Sequence, residues 1–173
     1  MATKKSGSKG KKQFRDALAL LKADHEAVSE LLEKYEKGKE RMDDEKKSEL
    51  AHKICEELTI HARIEEEIFY PALREASEEA EDALNEAAVE HTSIKSLVEQ
   101  VEEDSPDSEE FDAKVKVIGE YVKHHVKEEQ NEIFPMAREA DLDLKELGEQ
   151  LAARKAELKG EMGEESGEEE AAA

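Results

Sequence analysis

Two stretches of this chain repeat each other: His61-Ala-Arg-Ile-Glu65 runs on to Pro71-Ala-Leu-Arg-Glu-Ala, and His125-Val-Lys-Glu-Glu129 runs on to Pro135-Met-Ala-Arg-Glu-Ala. On a helix, a His and a Glu four residues apart project within about 40° of each other, so each copy sets an imidazole and a carboxylate on one face. Each copy is preceded by a further histidine beside an acid, in Asp24-His25 and Glu90-His91. A duplicated unit of this kind calls for long helices whose polar residues face one another.

Hydrophobic spacing supplies the helices. Phe14, Leu18, Leu21, His25, Val28, Leu32 and Tyr35 alternate four and three apart, the seam of a bundle helix from about residue 13 to Gly38. Ala51, Ile54, Leu58, His61, Glu65, Ile68 and Ala72 form a second seam, with Asp43-Asp44 placed to cap it. A third helix is expected from Ser77, with Ala80, Leu84, Ala87, His91, Ile94, Val98 and Val101 in line. Ser105-Pro106 reads as the start of a fourth, whose seam is Phe111, Val115, Ile118, Val122, His125, Glu129, then Ile133 or Met136. Pro71 and Pro135 are expected to kink or loosen the second and fourth helices. After Asp141, Leu144, Leu147, Leu151 and Leu158 mark a shorter helix lying along the bundle.

The expected fold is therefore all-α, an up-down-up-down four-helix bundle over residues 13–140 with a short accessory helix at 141–159. Two residues at equal height on antiparallel neighbours are equidistant from the turn between them. The midpoints of His25/His61, His61/His91 and His91/His125 fall at 43, 76 and 108, in or beside the three expected turns. All four histidines thus share a layer, with Glu65 and Glu129 roughly 6 Å further along their helices.

Six such residues left unpaired in a core would each cost on the order of 1–3 kcal/mol, and a charged one more. A metal removes that penalty, and an imidazole and carboxylate set suits iron, manganese or zinc. The repeat fixes the register: counting back from the prolines selects His125 over His124 and Glu129 over Glu128, and leaves Glu66, aligned with Gln130, outside the ligand set. A ferritin-like site would need Glu-x-x-His on two helices, and Glu49-Leu-Ala-His52 has no second copy.

The pattern His25, His61-x-x-x-Glu65, His91, His125-x-x-x-Glu129 resembles the hemerythrin-like HHE cation-binding domains over residues 13 to about 140. The segment Leu147-Gly-Glu-Gln-Leu-Ala-Ala-Arg-Lys is similar to a helix-five extension of bacterial members. The resemblance implies two non-haem iron ions, oxo- or hydroxo-bridged, with Glu65 and Glu129 spanning them. His25 and His61 would serve one iron, His91 and His125 the other. It implies binding of dioxygen or a related small ligand, nitric oxide or peroxide, for sensing, storage or detoxification, with an unknown reductase. Oxygen-carrying hemerythrins place another histidine four residues after the helix-three ligand, where this chain has Lys95. That departure favours the alternative of a di-iron enzyme that decomposes peroxide or oxidises ferrous iron.

Charge narrows the partners. The chain of 173 residues has a formal net charge of −21, with 42% charged residues, no Trp and three Pro. A surface this acidic repels phosphate backbones and anionic membranes, so no nucleic-acid or membrane partner is expected. No apolar run approaches a membrane span, and the single Cys55 suits a reducing, cytoplasmic setting as a small buried hydrophobe. Residues 1–12, with five Lys and no acid, read as a disordered basic arm, and residues 160–173, with six Glu and no base, as a disordered acidic tail. Tyr121 either approaches the site or packs with its hydroxyl at the rim, and Asp24 and Glu90 either orient imidazoles or lie on solvated faces. Gly119 either lets helices approach closely or is simply tolerated.

Overall fold

The structure, a computed structural model, describes residues 14–172, with side chains described as far as Gly163. The basic arm expected at 1–12 lies outside the described residues.

Asp16 begins the first rod: its carboxylate accepts the Ala19 N–H at 2.9 Å and caps α1 (Ala17–Gly38). A 3-10 turn at Lys39–Arg41 follows, and Asp43 caps the next helix by accepting the Lys46 N–H at 2.9 Å, as its position in the sequence suggests. The second rod is α2 (Asp44–Ile64), a π-helical turn (Glu65–Phe69) and α3 (Tyr70–Ala76), continuous through the turn. A 3-10 turn at Glu78–Ala80 leads into α4 (Glu81–Glu102), the third rod, without a side-chain cap from Ser77. The fourth rod repeats the second: α5 (Phe111–Glu128), a π turn (Glu129–Ile133) and α6 (Phe134–Glu139). A last helix, α7 (Leu144–Ala172), lies against α1 and α2. Contacts of α1 with α2, α2 with α4, α4 with α5, and α5 with α1 close the four rods into a ring. Among the described residues there is no strand.

The fourth rod begins at Phe111, not at Ser105-Pro106. Asp104 explains the shift, because its carboxylate accepts from the Ser105 N–H at 2.9 Å, the Ser108 hydroxyl at 2.8 Å and Lys114 at 2.7 Å. Those local bonds hold a turn in competition with the helix.

The acidic tail expected to be disordered from residue 160 is helical to Ala172. Leu147, Leu151 and Leu158 are buried and Met162 packs against the same cluster, which nucleates the helix. Glu and Ala, both good helix formers, then extend it past Gly160, Gly163 and Gly167, each of which costs about 1 kcal/mol relative to Ala.

The π turns are the main departure from simple periodicity. Tyr70 N–H bonds back five residues to the Glu65 carbonyl, and Phe134 N–H does the same to Glu129. Pro71 and Pro135 come next and have no N–H to give, so the widened turn sits where the regular ladder is interrupted anyway. The extra residue moves the buried line: Phe69, Tyr70 and Leu73 are buried after Glu65, whereas Ile68 and Ala72, on the expected seam, are only partly so. Ile133, Phe134 and Ala137 hold the same places after Glu129.

Apolar residues gather in two clusters. One surrounds Phe69, Leu73, Phe134 and Leu151, the other Tyr35, Ile54, Phe111 and Ile118. The expected layer of histidines lies between them. Tyr35 satisfies its buried hydroxyl by donating to Asp112 at 2.7 Å.

Candidate metal centre

All six residues expected from the sequence are brought together at mid-bundle: His25, His61, Glu65, His91, His125 and Glu129 are each at most 7% exposed. Their ring nitrogens form two pairs. His25 Nε2 lies 3.1 Å from His61 Nε2, and His91 Nε2 lies 3.1 Å from His125 Nε2. Glu65 reaches both pairs, with Oε1 3.1 Å from His61 and Oε2 3.3 Å from His91. Glu129 does so with a single oxygen, its Oε2 lying 2.9 Å from His25 and 3.9 Å from His125. One group of possible ligands is thus His25, His61, Glu65 and Glu129, and the other Glu65, His91 and His125.

The far ring nitrogens are held from neighbouring rods. His125 Nδ1 meets Glu90 at 2.8 Å, His91 Nδ1 meets Glu66 at 2.9 Å, and His25 Nδ1 meets Gln130 at 3.0 Å. Asp24 faces His61 Nδ1 at 3.6 Å, a charge contact too long for a hydrogen bond, and its other oxygen binds Lys155 of α7. Such partners fix ring orientation and leave Nε2 for a ligand. Glu90 does orient an imidazole, that of His125 on the adjacent rod rather than its sequence neighbour His91, while Asp24 faces His61 only at charge-contact range.

Protons and carboxylates alone leave this layer imperfectly satisfied. Glu65 Oε1, Glu129 Oε2 and His61 Nδ1 are buried without a hydrogen-bond partner. Burial draws the His61 imidazole down, but Glu65, Asp24 and Glu129 outweigh it and push it up to about 10. His91 is also drawn down by burial and is carried up to about 9 by Glu65 and Glu66. Burial alone would raise Glu65, yet His61 and His91 hold it well below the usual carboxylate range. The layer therefore demands positive charge, and imidazoles that converge with carboxylates are suited to take it from a metal cation.

The family follows from the chain's match to the hemerythrin HHE cation binding domain over residues 16–137. The chain belongs to that family. Like other members it is a metal-binding helical protein. It resembles the crystal structure of a hemerythrin HHE cation binding domain-containing protein from Mycobacterium kansasii, with a TM-score of 0.70 and 25% identity over 84% of this chain and 88% of that one. It is also 31% identical over 127 residues to a protein named DNA nickase from Nostoc sp. (strain PCC 7120), which covers 73% of this chain but 35% of the relative. The chain thus spans about a third of that relative's length.

One residue of this HHE site escaped the sequence reading. Tyr70, 5% exposed, donates to Glu129 Oε1 at 3.0 Å and lies 3.4 Å from Glu65 Oε2. Tyr121, the tyrosine that the sequence brings to notice, is 42% exposed on the surface. The signal for Tyr70 was an aromatic residue directly before the proline in both repeats, with Phe134 as its counterpart. Phe134 stacks on His25, at 5.8 Å between ring centres and 8° between planes.

Lys95, in the position of the extra hemerythrin histidine, turns to Glu66 with contacts of 2.7 and 2.5 Å. Glu66 is thereby engaged by His91 and Lys95, outside the convergent set. On the face of the histidine layer away from Glu65 and Glu129 lies a cavity of about 30 Å³, bordered by Val28, Leu58, Ile94, Val98, Val122 and Val126. Asp24, Thr59 and Lys95 also border it.

Proposed function

We propose that the six residues hold two iron ions and that the pair binds dioxygen or a related small ligand, nitric oxide or peroxide, for sensing, storage or detoxification. The observation that carries this reading is Glu65, whose two oxygens reach the two histidine pairs separately, the arrangement a bridging carboxylate requires. Bound iron would supply reversible electron transfer to the small ligand.

The chain's own residues then have defined tasks. Glu90, Glu66 and Gln130, at Nδ1 of His125, His91 and His25, hold those three imidazoles in one orientation. Burial keeps the Tyr70 phenol far above its ordinary titration range, and Glu65 and Glu129 reinforce this, so Tyr70 keeps its proton and donates a hydrogen bond to Glu129. The valine, leucine and isoleucine walls of the cavity exclude bulk water and admit a small neutral molecule. Iron held by these residues would need an unidentified reductase as partner to supply electrons.

A second reading, peroxide decomposition or ferrous-iron oxidation, draws on Lys95. With its ammonium bound to Glu66, α4 contributes one imidazole to the layer rather than two, which leaves a position open for turnover. Anaerobic ferrous protein mixed with dioxygen and, separately, with peroxide distinguishes the two. An absorbance change undone under vacuum supports binding, and sustained oxygen release from peroxide supports turnover.

The Nostoc relative's name raises DNA cleavage, but a chain of net charge −21 repels phosphate backbones. We assign no nucleic acid to this domain. Incubation of the iron-loaded protein with supercoiled DNA is expected to leave the DNA closed. Among the described residues, no helix is long and apolar enough to cross a membrane.

A further inference from the structure

A second group of ligand-type side chains lies at the surface beside the buried centre. His124 and Glu128, one turn apart on α5, meet through Nε2 and Oε1 at 3.0 Å. Glu90 of α4 completes the group, its Oε1 lying 3.3 Å from the same His124 nitrogen. His124 is 58% exposed at the side chain, Glu128 31% and Glu90 13%, so the group grades from solvent inward. Glu90 faces both ways, because its other oxygen holds Nδ1 of the buried His125.

Behind this group runs a narrow cleft of about 10 Å³, lined by Glu86, Glu90, His125, Glu128, Glu129 and Glu132. Its innermost carboxylate, Glu129, is fully buried and has Oε2 without a hydrogen-bond partner. A volume this small holds about one water-sized sphere, so a hydrated cation cannot pass intact. Carboxylate oxygens along the wall can replace the lost water ligands. The cavity on the other face of the histidine layer is bordered mainly by apolar side chains, with Asp24 and Lys95 at its edge already engaged in ion pairs with Lys155 and Glu66, so it offers an incoming cation few oxygen ligands. The two openings are thus chemically distinct, one acidic and one apolar.

We propose that His124, Glu128 and Glu90 form a third, transient site for a divalent cation and that it loads the buried centre through the acidic cleft. This inference rests on the reading of that centre as a two-cation site. Capture by one imidazole and two carboxylates raises the local concentration of the cation, and Glu90 and Glu128, which belong both to the surface group and to the cleft wall, hand it toward Glu129. The exposed His124 accounts for weak, exchangeable binding, as a loading site requires.

The test is uptake of cobalt(II) by the full-length metal-free chain, followed by stopped-flow absorbance and by equilibrium dialysis. Wild type is expected to take up two tightly held ions and a third, weaker one. The double variant His124→Ala/Glu128→Gln is expected to lose the third ion and to load about ten-fold more slowly or worse, while reaching the same final pair. A separate variant, Glu86→Gln/Glu132→Gln, is expected to slow loading and to retain the third ion. Circular dichroism on each variant establishes that the bundle is intact. Loading of both variants at the wild-type rate would overturn the loading route, and retention of the third ion by His124→Ala/Glu128→Gln would overturn the site. Failure of wild type to bind cobalt at all would instead overturn the two-cation reading itself.

Discussion

Tyr70 on the second rod donates its hydroxyl to Glu129 on the fourth, across 3.0 Å of buried space. Its counterpart in the repeat, Phe134, offers only a ring and packs on His25. The internal duplication is therefore symmetric in its His and Glu residues and asymmetric in the aromatic that leans on them. Replacing Tyr70 by Phe keeps the packing and strands one oxygen of a buried carboxylate. The metal-free variant is expected to lose about 1–3 kcal/mol in urea denaturation while remaining helical. A loss below about 0.5 kcal/mol would show that this hydrogen bond does not hold Glu129.

Protons occupy the layer when metal does not. With His61 pushed up to about 10 and His91 to about 9, both are charged at neutral pH in the metal-free protein. Because these values are raised, the stability they contribute is complete below the ordinary histidine value and fades as pH climbs through about 9 to 10. Glu65, held low, acts oppositely, its contribution being lost as pH falls below the ordinary carboxylate range. Metal ligation needs neutral imidazoles, so cation binding at pH 7 is expected to release about two protons per chain. Calorimetry in two buffers of different ionisation enthalpy reads that number directly. The melting temperature of the metal-free protein is expected to drop between pH 7 and 10, and that of the loaded protein to hold.

Gly148 is where α7 meets the start of α1. A Cβ there would stand 2.7 Å from the Ala17 nitrogen and 2.8 Å from the Asp16 carbonyl carbon, both backbone atoms that cannot swing aside. Gly148→Ala is expected to cost about 1–3 kcal/mol by forcing α7 away from α1. Gly160→Ala, with no atom within 4 Å of the new methyl, is expected to be neutral or stabilising by up to about 1 kcal/mol. Paired denaturation curves of the two variants check both statements. At Gly119 an added Cβ would meet only Leu32 side-chain carbons, at 3.6 and 3.9 Å, so that glycine is tolerated rather than required.

Val122 borders the apolar cavity of about 30 Å³ beside the histidines. A phenylalanine there is expected to fill that space and weaken nitric oxide binding to the ferrous iron-loaded protein by about ten-fold or more, about 1.4 kcal/mol of binding. Titration by absorbance measures it, and unchanged affinity would place the small-ligand site elsewhere.

Periodicity revealed the bundle because its seams are genuine: every residue named on the third and fourth seams as far as Glu129 is buried. Equal distances from the turns sufficed to level four histidines: the counts through 43 and 108 run along regular α-helix, and the count from His61 to 76 crosses one π turn, whose single extra residue shifts the height by only about 1.5 Å. Beyond those residues the π turns insert one residue per rod, and a pattern read at 3.6 per turn passes over them. Phe69, Tyr70 and Leu73 were hidden for that reason, and Tyr121 drew notice in place of Tyr70. The Ser105-Pro106 start was displaced by a side-chain turn on Asp104, a competition that composition alone does not rank. The length of α7 was missed because an acidic, Gly-bearing tail resembles disorder until three buried leucines nucleate it.

Metal held by the six converging side chains underlies every role assigned to them. Elemental analysis of untagged protein, purified without added metal or chelator, tests this most directly, alongside His61→Ala. About two irons per chain are expected, with His61→Ala losing most of that metal. Protein that carries no metal, or His61→Ala that keeps its full complement, would contradict the account.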